Sequence, residues 1–318
     1  MGSIQMACKT ISALVQRAGL ADMTGYRDDG NINVQGEEQK KLDVITNDVL
    51  KDALGYGGRV GLVASEEEDL PVLVEETLES KYVAVFDPLD GSSNVDAGIP
   101  TGTIFGIFED NNAECEVVEG SDVSDECLKA TLQAGRNLVA SGYVLYSSAT
   151  HLFMTLGAGT YGFTYDEHIG EFVLTHPCVE IPKRGKIYSC NEGNATLWDP
   201  EMQSAVAAFK APPKPYSARY VGSMVSDVHR TILYGGIFLY PADAKSTKGK
   251  LRILYEGFPM ALITEQAGGV ASTGMFQGKV QRILEVVPEH IHDRCPIIMG
   301  CDRDCSKVLS LYGAPAPP

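Results

Sequence analysis

Val85-Phe86-Asp87-Pro88-Leu89-Asp90-Gly91-Ser92-Ser93-Asn94 places two carboxylates, a chain-reversing proline and a Gly-Ser-Ser turn directly after an apolar run. Tyr82 to Phe86 reads as a short buried strand by composition. Asp87 and Asp90 therefore emerge at its carboxyl end, where ligands collect in α/β sheets. Hard divalent cations such as Mg²⁺ take oxygen ligands and share them with substrate phosphates, a task that suits two aspartates three residues apart. The backbone N–H groups of Gly91, Ser92 and Ser93 offer a nest for an anion beside the metal. Taken alone, the segment also reads as an Asx turn capped by serines.

Two further stretches repeat the arrangement. Val60 to Ala64 is an apolar run closing on Ser65-Glu66-Glu67-Glu68-Asp69, with Glu66 and Glu67 at the strand end as metal ligands and Glu68 and Asp69 as a solvated charge run. Lys250-Leu251-Arg252-Ile253-Leu254-Tyr255-Glu256 alternates apolar and polar residues and delivers Glu256 just before a helical pattern, Pro259 to Ala267. Three strand ends then bring acids to one place.

The chain of 318 residues is long enough for two packed halves. No apolar run approaches eighteen residues, so no membrane span is expected. With 26 basic and 42 acidic residues the formal charge is −16, which argues against nucleic acid and requires a local basic pocket for any anionic substrate. Strands are expected near 60–64, 82–86, 103–108, 138–145, 152–156, 186–189 and 236–240, and helices at 6–19, 43–54, 200–209, 224–234, after Glu256 and at 303–312. This alternation predicts an α/β fold, with a boundary at Pro177 separating residues 1–177 from 178–318. Met1 to Leu20 carries the apolar spacing of an amphipathic helix instead of a secretory signal. The six histidines are scattered, with His290 and His292 read as solvated, and Trp198 as a core or staple residue at a helix start.

In order along the chain, Ser65-Glu66-Glu67, Asp87 to Asn94 and the Lys250 to Glu256 segment resemble the fructose-1,6-bisphosphatase family, within the lithium-sensitive, metal-dependent sugar phosphatases. Gln39 to Asp43, Gly135 to Val139, Gly185 to Ser189, Asn191-Glu192-Gly193 and Ala218 to Met224 extend the resemblance to about Tyr312. It implies a layered αβαβα sandwich whose first half binds metal and whose second half binds a sugar phosphate. It implies two or more Mg²⁺ on Glu66, Glu67, Asp87, Asp90, Glu256 and the Leu89 carbonyl, with catalytic acids at Glu37 and Asp43. Fructose 1,6-bisphosphate would be held by Gly91, Ser92, Ser93, Asn191, Arg219, Tyr220, Met224, Tyr240, Lys250 and Arg252, with Arg219 reaching across from a neighbouring subunit of a homotetramer or dimer of dimers. Family members carry tyrosine at the position of Asn194, which implies somewhat weaker phosphate binding here. The reaction implied is removal of the 1-phosphate by metal-activated water. Rival readings are a sedoheptulose-1,7-bisphosphatase, an inositol monophosphatase and a catalytically dead homologue. Lys81, Tyr82 and Arg136 match part of the family's AMP pocket, but the preceding helix and loop are missing, so AMP inhibition is not expected, and a trimmed transit peptide or an engineered start is.

Of eight cysteines, Cys8, Cys178, Cys190 and Cys295 lie in apolar contexts and read as buried thiols. Cys301 and Cys305 lie on a turn before the last helix, paired or free. Cys115 and Cys127 fall in Glu109 to Thr131, an acidic, loop-like segment of a length that is commonly functional. That segment resembles the insertion of chloroplast fructose-1,6-bisphosphatases, in which thioredoxin reduces a disulfide. The resemblance implies a Cys115–Cys127 pair, thioredoxin as a partner and the chloroplast stroma as the location, the cytoplasm being the alternative and two unpaired exposed cysteines the simpler reading.

Overall fold

The computed structural model describes residues 1–21, 23–25, 40–74, 81–110 and 125–314. From the amino end, α1 (Gly2–Arg17) and α2 (Lys41–Gly55) precede β1 (Val60–Ser65), β2 (Val72–Leu73), β3 (Tyr82–Asp90) and β4 (Thr101–Glu109). Then come α3 (Asp125–Thr131), β5 (Leu138–Tyr146), β6 (Thr150–Thr155), β7 (Thr160–Asp166) and β8 (Glu171–Val179). The second half runs β9 (Ile187–Ser189), α4 (Pro200–Lys210), β10 (Ser217–Ala218), α5 (Met224–Tyr234), β11 (Ile237–Tyr240) and β12 (Leu251–Arg252). It ends with α6 (Phe258–Gln266), β13 (Val270–Phe276), β14 (Lys279–Arg282), β15 (Arg294–Cys295), β16 (Ile297–Gly300) and α7 (Asp302–Leu311).

The strands form an eight-stranded sheet, β2-β1-β3-β4-β5-β6-β7-β8, a six-stranded sheet, β10-β9-β11-β16-β13-β14, and a small β12-β15 pair. In the first sheet only β1 and β3 run parallel. Helix spacing dictates the layers. Ile4, Ala7, Cys8 and Ile11 recur on one face of α1 and pack with Leu42 and Leu50 of α2 on the outside of the first sheet. Met202, Ala205, Val206 and Phe209 of α4 join Cys305, Val308 and Leu309 of α7 outside the second sheet. Every residue of α6 from Phe258 to Thr264 is buried, which only a helix enclosed on all sides tolerates, and it fills the middle layer with α5. The result is the expected αβαβα sandwich.

β2, β7, β8, β10 and the four strands from β13 to β16 were not anticipated. The segment Glu109 to Thr131, read as loop, ends in α3. Cys127 is wholly buried there beside Ala130, with Leu128 and Leu132 partly buried, because those four positions share an apolar side facing the middle layer. Cys178, expected in the core, is exposed, since it lies on the outermost strand of the first sheet, where β8 buries only Val179.

Candidate active site

Along β3, Val83 and Val85 enter the middle layer while Ala84 and Phe86 face α1 and α2. Continued alternation would point Asp87 and Asp90 to opposite sides. However, Asp87 pairs with Ile104 and Asp90 with Gly102, so three steps on β3 match two on β4. This one-residue bulge at Pro88 resets the alternation, turning Leu89 towards the α1 side and Asp90 inward. Asp90 accepts hydrogen bonds from the Ser223 hydroxyl (2.7 Å) and the Val225 N–H (2.9 Å) at the start of α5. Gly91 follows in the left-handed region (φ 73°), and a Cβ there would come within 2.7 Å of the Ser223 side chain. Only glycine permits the strand end and the helix start to touch.

Glu256 reaches the same point by a second irregularity. Ile253–Gly257 is one turn of π-helix, closed by the Phe258 N–H on the Ile253 carbonyl. Pro259 next to it has no N–H with which to close a regular turn, and such turns occur at functional sites. The wide turn leaves Glu256 facing the β3 end, its Oε2 accepting the Arg252 N–H at 2.6 Å.

Asp87, Asp90 and Glu256 each place a carboxylate oxygen within 4.8 Å of the other two, and all three are buried. Burial pushes Asp87 well above the carboxylate range, reinforced by the charges of Glu66, Asp90 and Glu256. Burial raises Asp90 to about 6 despite its donors on α5. It raises Glu256 to about 8 although Arg252 pulls the other way. Like charges held together out of water require an ion or protons. An all-oxygen donor set without sulfur or imidazole fits a hard divalent cation. No other such acidic, histidine or cysteine group converges among the described residues.

Around this cluster lies a cleft lined by Asp43, Glu66, Glu67, Leu89, Gly91, Ser92, Ser93, Tyr220, Met224, Tyr240, Lys250 and Arg252, as expected, and by Gly222, Asp227, Phe238 and Leu251, which were not. Glu66 pairs with the Arg252 guanidinium at 3.1 Å. Asp43 accepts the Lys40 N–H at the start of α2 (3.0 Å), and burial lifts it to about 6 against that bond and one from Ser92. Two expected residues stand apart. Asn191 accepts the Gly193 N–H and lines a small adjoining cavity that shares Tyr240 with the cleft. Arg219 is exposed and donates to the Ala218 carbonyl. Glu37 and Cys115 lie outside the described residues. Cys127 is disulfide-bonded, and Cys301 and Cys305 are buried free thiols. His292 bridges Tyr255 and the Glu68 carbonyl and is not a solvated residue.

Asp227 was missed because its partners are mostly backbone amides, those of Val221 and Gly222. The only signal in the sequence was its three-residue spacing from Arg230, with which it pairs at 2.6 Å. No helix among the described residues is long and apolar enough to cross a membrane.

Known proteins resemble the chain along nearly its whole length. The family model "Fructose-1-6-bisphosphatase, N-terminal domain" matches residues 1–177, and the corresponding C-terminal domain model matches residues 181–313. The chain is 51% identical over 317 residues to a chloroplastic fructose-1,6-bisphosphatase 1 of Arabidopsis thaliana, covering 97% of this chain and 74% of that one. It is 49% identical to a cytosolic fructose-1,6-bisphosphatase of Beta vulgaris, covering 99% and 88%. The crystal structure of Leishmania major fructose-1,6-bisphosphatase in holo form superposes with a TM-score of 0.89 at 41% identity, covering 99% of this chain and 93% of that one. The chain belongs to the fructose-1,6-bisphosphatase family.

Proposed function

We propose that this protein removes the 1-phosphate of D-fructose 1,6-bisphosphate, releasing fructose 6-phosphate and inorganic phosphate. The observation that carries the reading is the buried Asp87, Asp90 and Glu256 cluster at the floor of a cleft whose rim carries Lys250. These residues, with Glu66, Glu67 and the Leu89 carbonyl, would hold two or more Mg²⁺ per subunit, which would supply Lewis acidity at the phosphoryl group.

The chain's own residues do the rest. Asp43, with its affinity for protons raised to about 6, accepts a proton from the attacking water near neutral pH, Glu37 serving beside it. Ser92 donates to Asp43, and the turn at Gly91, Ser92 and Ser93 cradles the reacting phosphate with backbone N–H groups. Lys250, Tyr220 and Tyr240, the last two hydrogen-bonded to each other, hold the other phosphate with Asn191, Met224 and Arg252. Arg219, which is exposed and does not line its own cleft, serves a neighbouring subunit in a homotetramer. Residues 1–177 form the metal-binding half and 178–318 the sugar-phosphate half. A Cys115–Cys127 disulfide, reduced by thioredoxin, would regulate the enzyme in the chloroplast stroma.

Hydrolysis of fructose 1,6-bisphosphate and sedoheptulose 1,7-bisphosphate, each with and without Mg²⁺, tests the reading. Mg²⁺-dependent release of phosphate with clear preference for the fructose ester is expected. Preference for the seven-carbon ester would assign the rival activity, and no hydrolysis of either would defeat the reading.

A further inference from the structure

The first turn of α5 is gripped by two carboxylates from different directions. Asp90, at the end of β3, takes the Ser223 hydroxyl and the N–H groups of Met224 and Val225. Asp227, within the helix and wholly buried, takes the N–H of Val221 at 3.0 Å to each oxygen and that of Gly222 at 3.0 Å. One turn further, Arg230 places a single nitrogen 2.6 Å from Asp227 and 2.8 Å from the Arg219 carbonyl. Two acids and one guanidinium thus fix the carbonyl of Arg219 and the amides of Val221, Gly222, Met224 and Val225.

Upstream, the same stretch is tied to the second sheet, because the Arg219 N–H bonds the Tyr188 carbonyl at 2.9 Å. Between that tie and the helix, Arg219 and Tyr220 have no secondary structure of their own, and Gly222 turns the chain with φ 89°. Backbone in such a connection takes its place from whatever its carbonyls and amides meet. Here they meet Asp227 and Arg230.

We propose that Asp227 and Arg230 are positioning residues that set where Arg219 and Tyr220 stand, and so how tightly the phosphate remote from the reacting one is held. This rests on the sugar bisphosphate reading above. A second consequence follows from the shared helix turn. Asp90 and the remote-phosphate segment are fixed to consecutive residues, so the metal end and the far end of the cleft are spaced by α5 itself.

A simple monophosphate such as p-nitrophenyl phosphate has no second phosphate to hold, which separates this role from a merely structural one. Arg230→Gln removes both of its bonds, and the loss of a charge-assisted pair is worth about a factor of ten in affinity or more. We expect KM for fructose 1,6-bisphosphate to rise about tenfold, with kcat and p-nitrophenyl phosphate hydrolysis changed less than about threefold. Arg230→Lys, which keeps the charge and the donors but on a shorter side chain, should fall between. Asp227→Asn should speed hydrogen exchange at the Val221 and Gly222 amides relative to the rest of the second half. Equal losses on both substrates, or a lowered Tm with the ratio between substrates unchanged, would overturn the inference while leaving the function intact. Wild-type protein that hydrolyses p-nitrophenyl phosphate but not the bisphosphate would defeat the reading of function, and this inference with it.

Discussion

Two buried carboxylates, Asp304 in the outer helical layer and Asp87 at the end of β3, are treated oppositely by their surroundings. Asp304, in the first turn of α7, is 3% exposed and accepts hydrogen bonds from the Gly185 N–H, the Tyr216 hydroxyl and the Cys301 thiol. Donors meet its charge, and its effect is to tie α7 to the segment before β9. Asp87 accepts the Leu89 N–H within its own turn, and otherwise faces acids: Glu66, with which it shares a hydrogen bond, Asp90 and Glu256. Burial of an acid therefore does not mark a site. Convergence of several acids on one point does, because hydrogen-bond donors and one guanidinium leave a surplus of negative charge that only cations or protons can fill.

The largest effect should come from the unmatched set. Asp87→Asn should lower Mg²⁺-dependent turnover at least about 10³-fold. In metal-free protein at pH 8 the same change removes a repelling charge, so its Tm should rise. A variant that kept its turnover, or that unfolded, would erase the distinction between the two places.

Asp304→Ala should do the reverse. It strands buried donors and should cost about 2–4 kcal/mol of stability, seen as a denaturant midpoint shift, with kcat unchanged at a temperature where the variant is folded. A loss of kcat without loss of stability would show that the outer layer reaches the chemistry.

Dependence on pH sharpens the contrast next. Asp90 and Glu256 are raised from 3.8 and 4.5 to about 6 and about 8, so the folded state binds more protons than the unfolded one between those values. Metal-free stability should therefore be greatest below about pH 4 as far as these groups decide it, and should fall as pH rises towards 8. Mg²⁺ needs the ionised forms, so the Tm gain on adding it should be larger at pH 8 than at pH 6. A gain that is flat across this range would mean that the ion binds elsewhere.

The smallest effect concerns α3. Cys127 lies in the same apolar cluster as Val83 and Val85 of β3, the strand that leads into Asp87. Dithiol reduction, or Cys127→Ser, should raise activity a few-fold at low Mg²⁺ and hardly at all at saturating Mg²⁺. Equal activity of oxidised and reduced protein at low Mg²⁺ would leave α3 as packing alone.

Much of this was legible in advance, for physical reasons that differ by element. β1, the start of β3 and the helices α1, α2 and α5 announce themselves by apolar spacing, and the acids that follow β1 and β3 are adjacent in the chain. β7 and β8 are not so marked, because they lie at the outer side of the first sheet, where β8 exposes Glu171, Val173, Leu174 and Thr175 without an in-and-out alternation. β13 and β16 follow turns and helices without a clear alternation. α3 was hidden by the acidic residues before it, although Cys127 and Ala130 already had helical spacing. Asp227 was illegible for another reason. Its role depends on which amides the loop at 221–222 presents, and no periodicity encodes that.

The bulge at Pro88 and the wide turn at Ile253–Gly257 share a property that matters for anyone editing this chain. Each contains one residue more than regular geometry needs, and each aims an acid by that surplus. Deleting a residue there would give a more regular strand or helix, with every acidic side chain still in the sequence, yet rotated out of the meeting point. The acidic site is thus encoded in register as much as in composition, and is as exposed to single-residue deletions beside its acids as to substitution of the acids themselves.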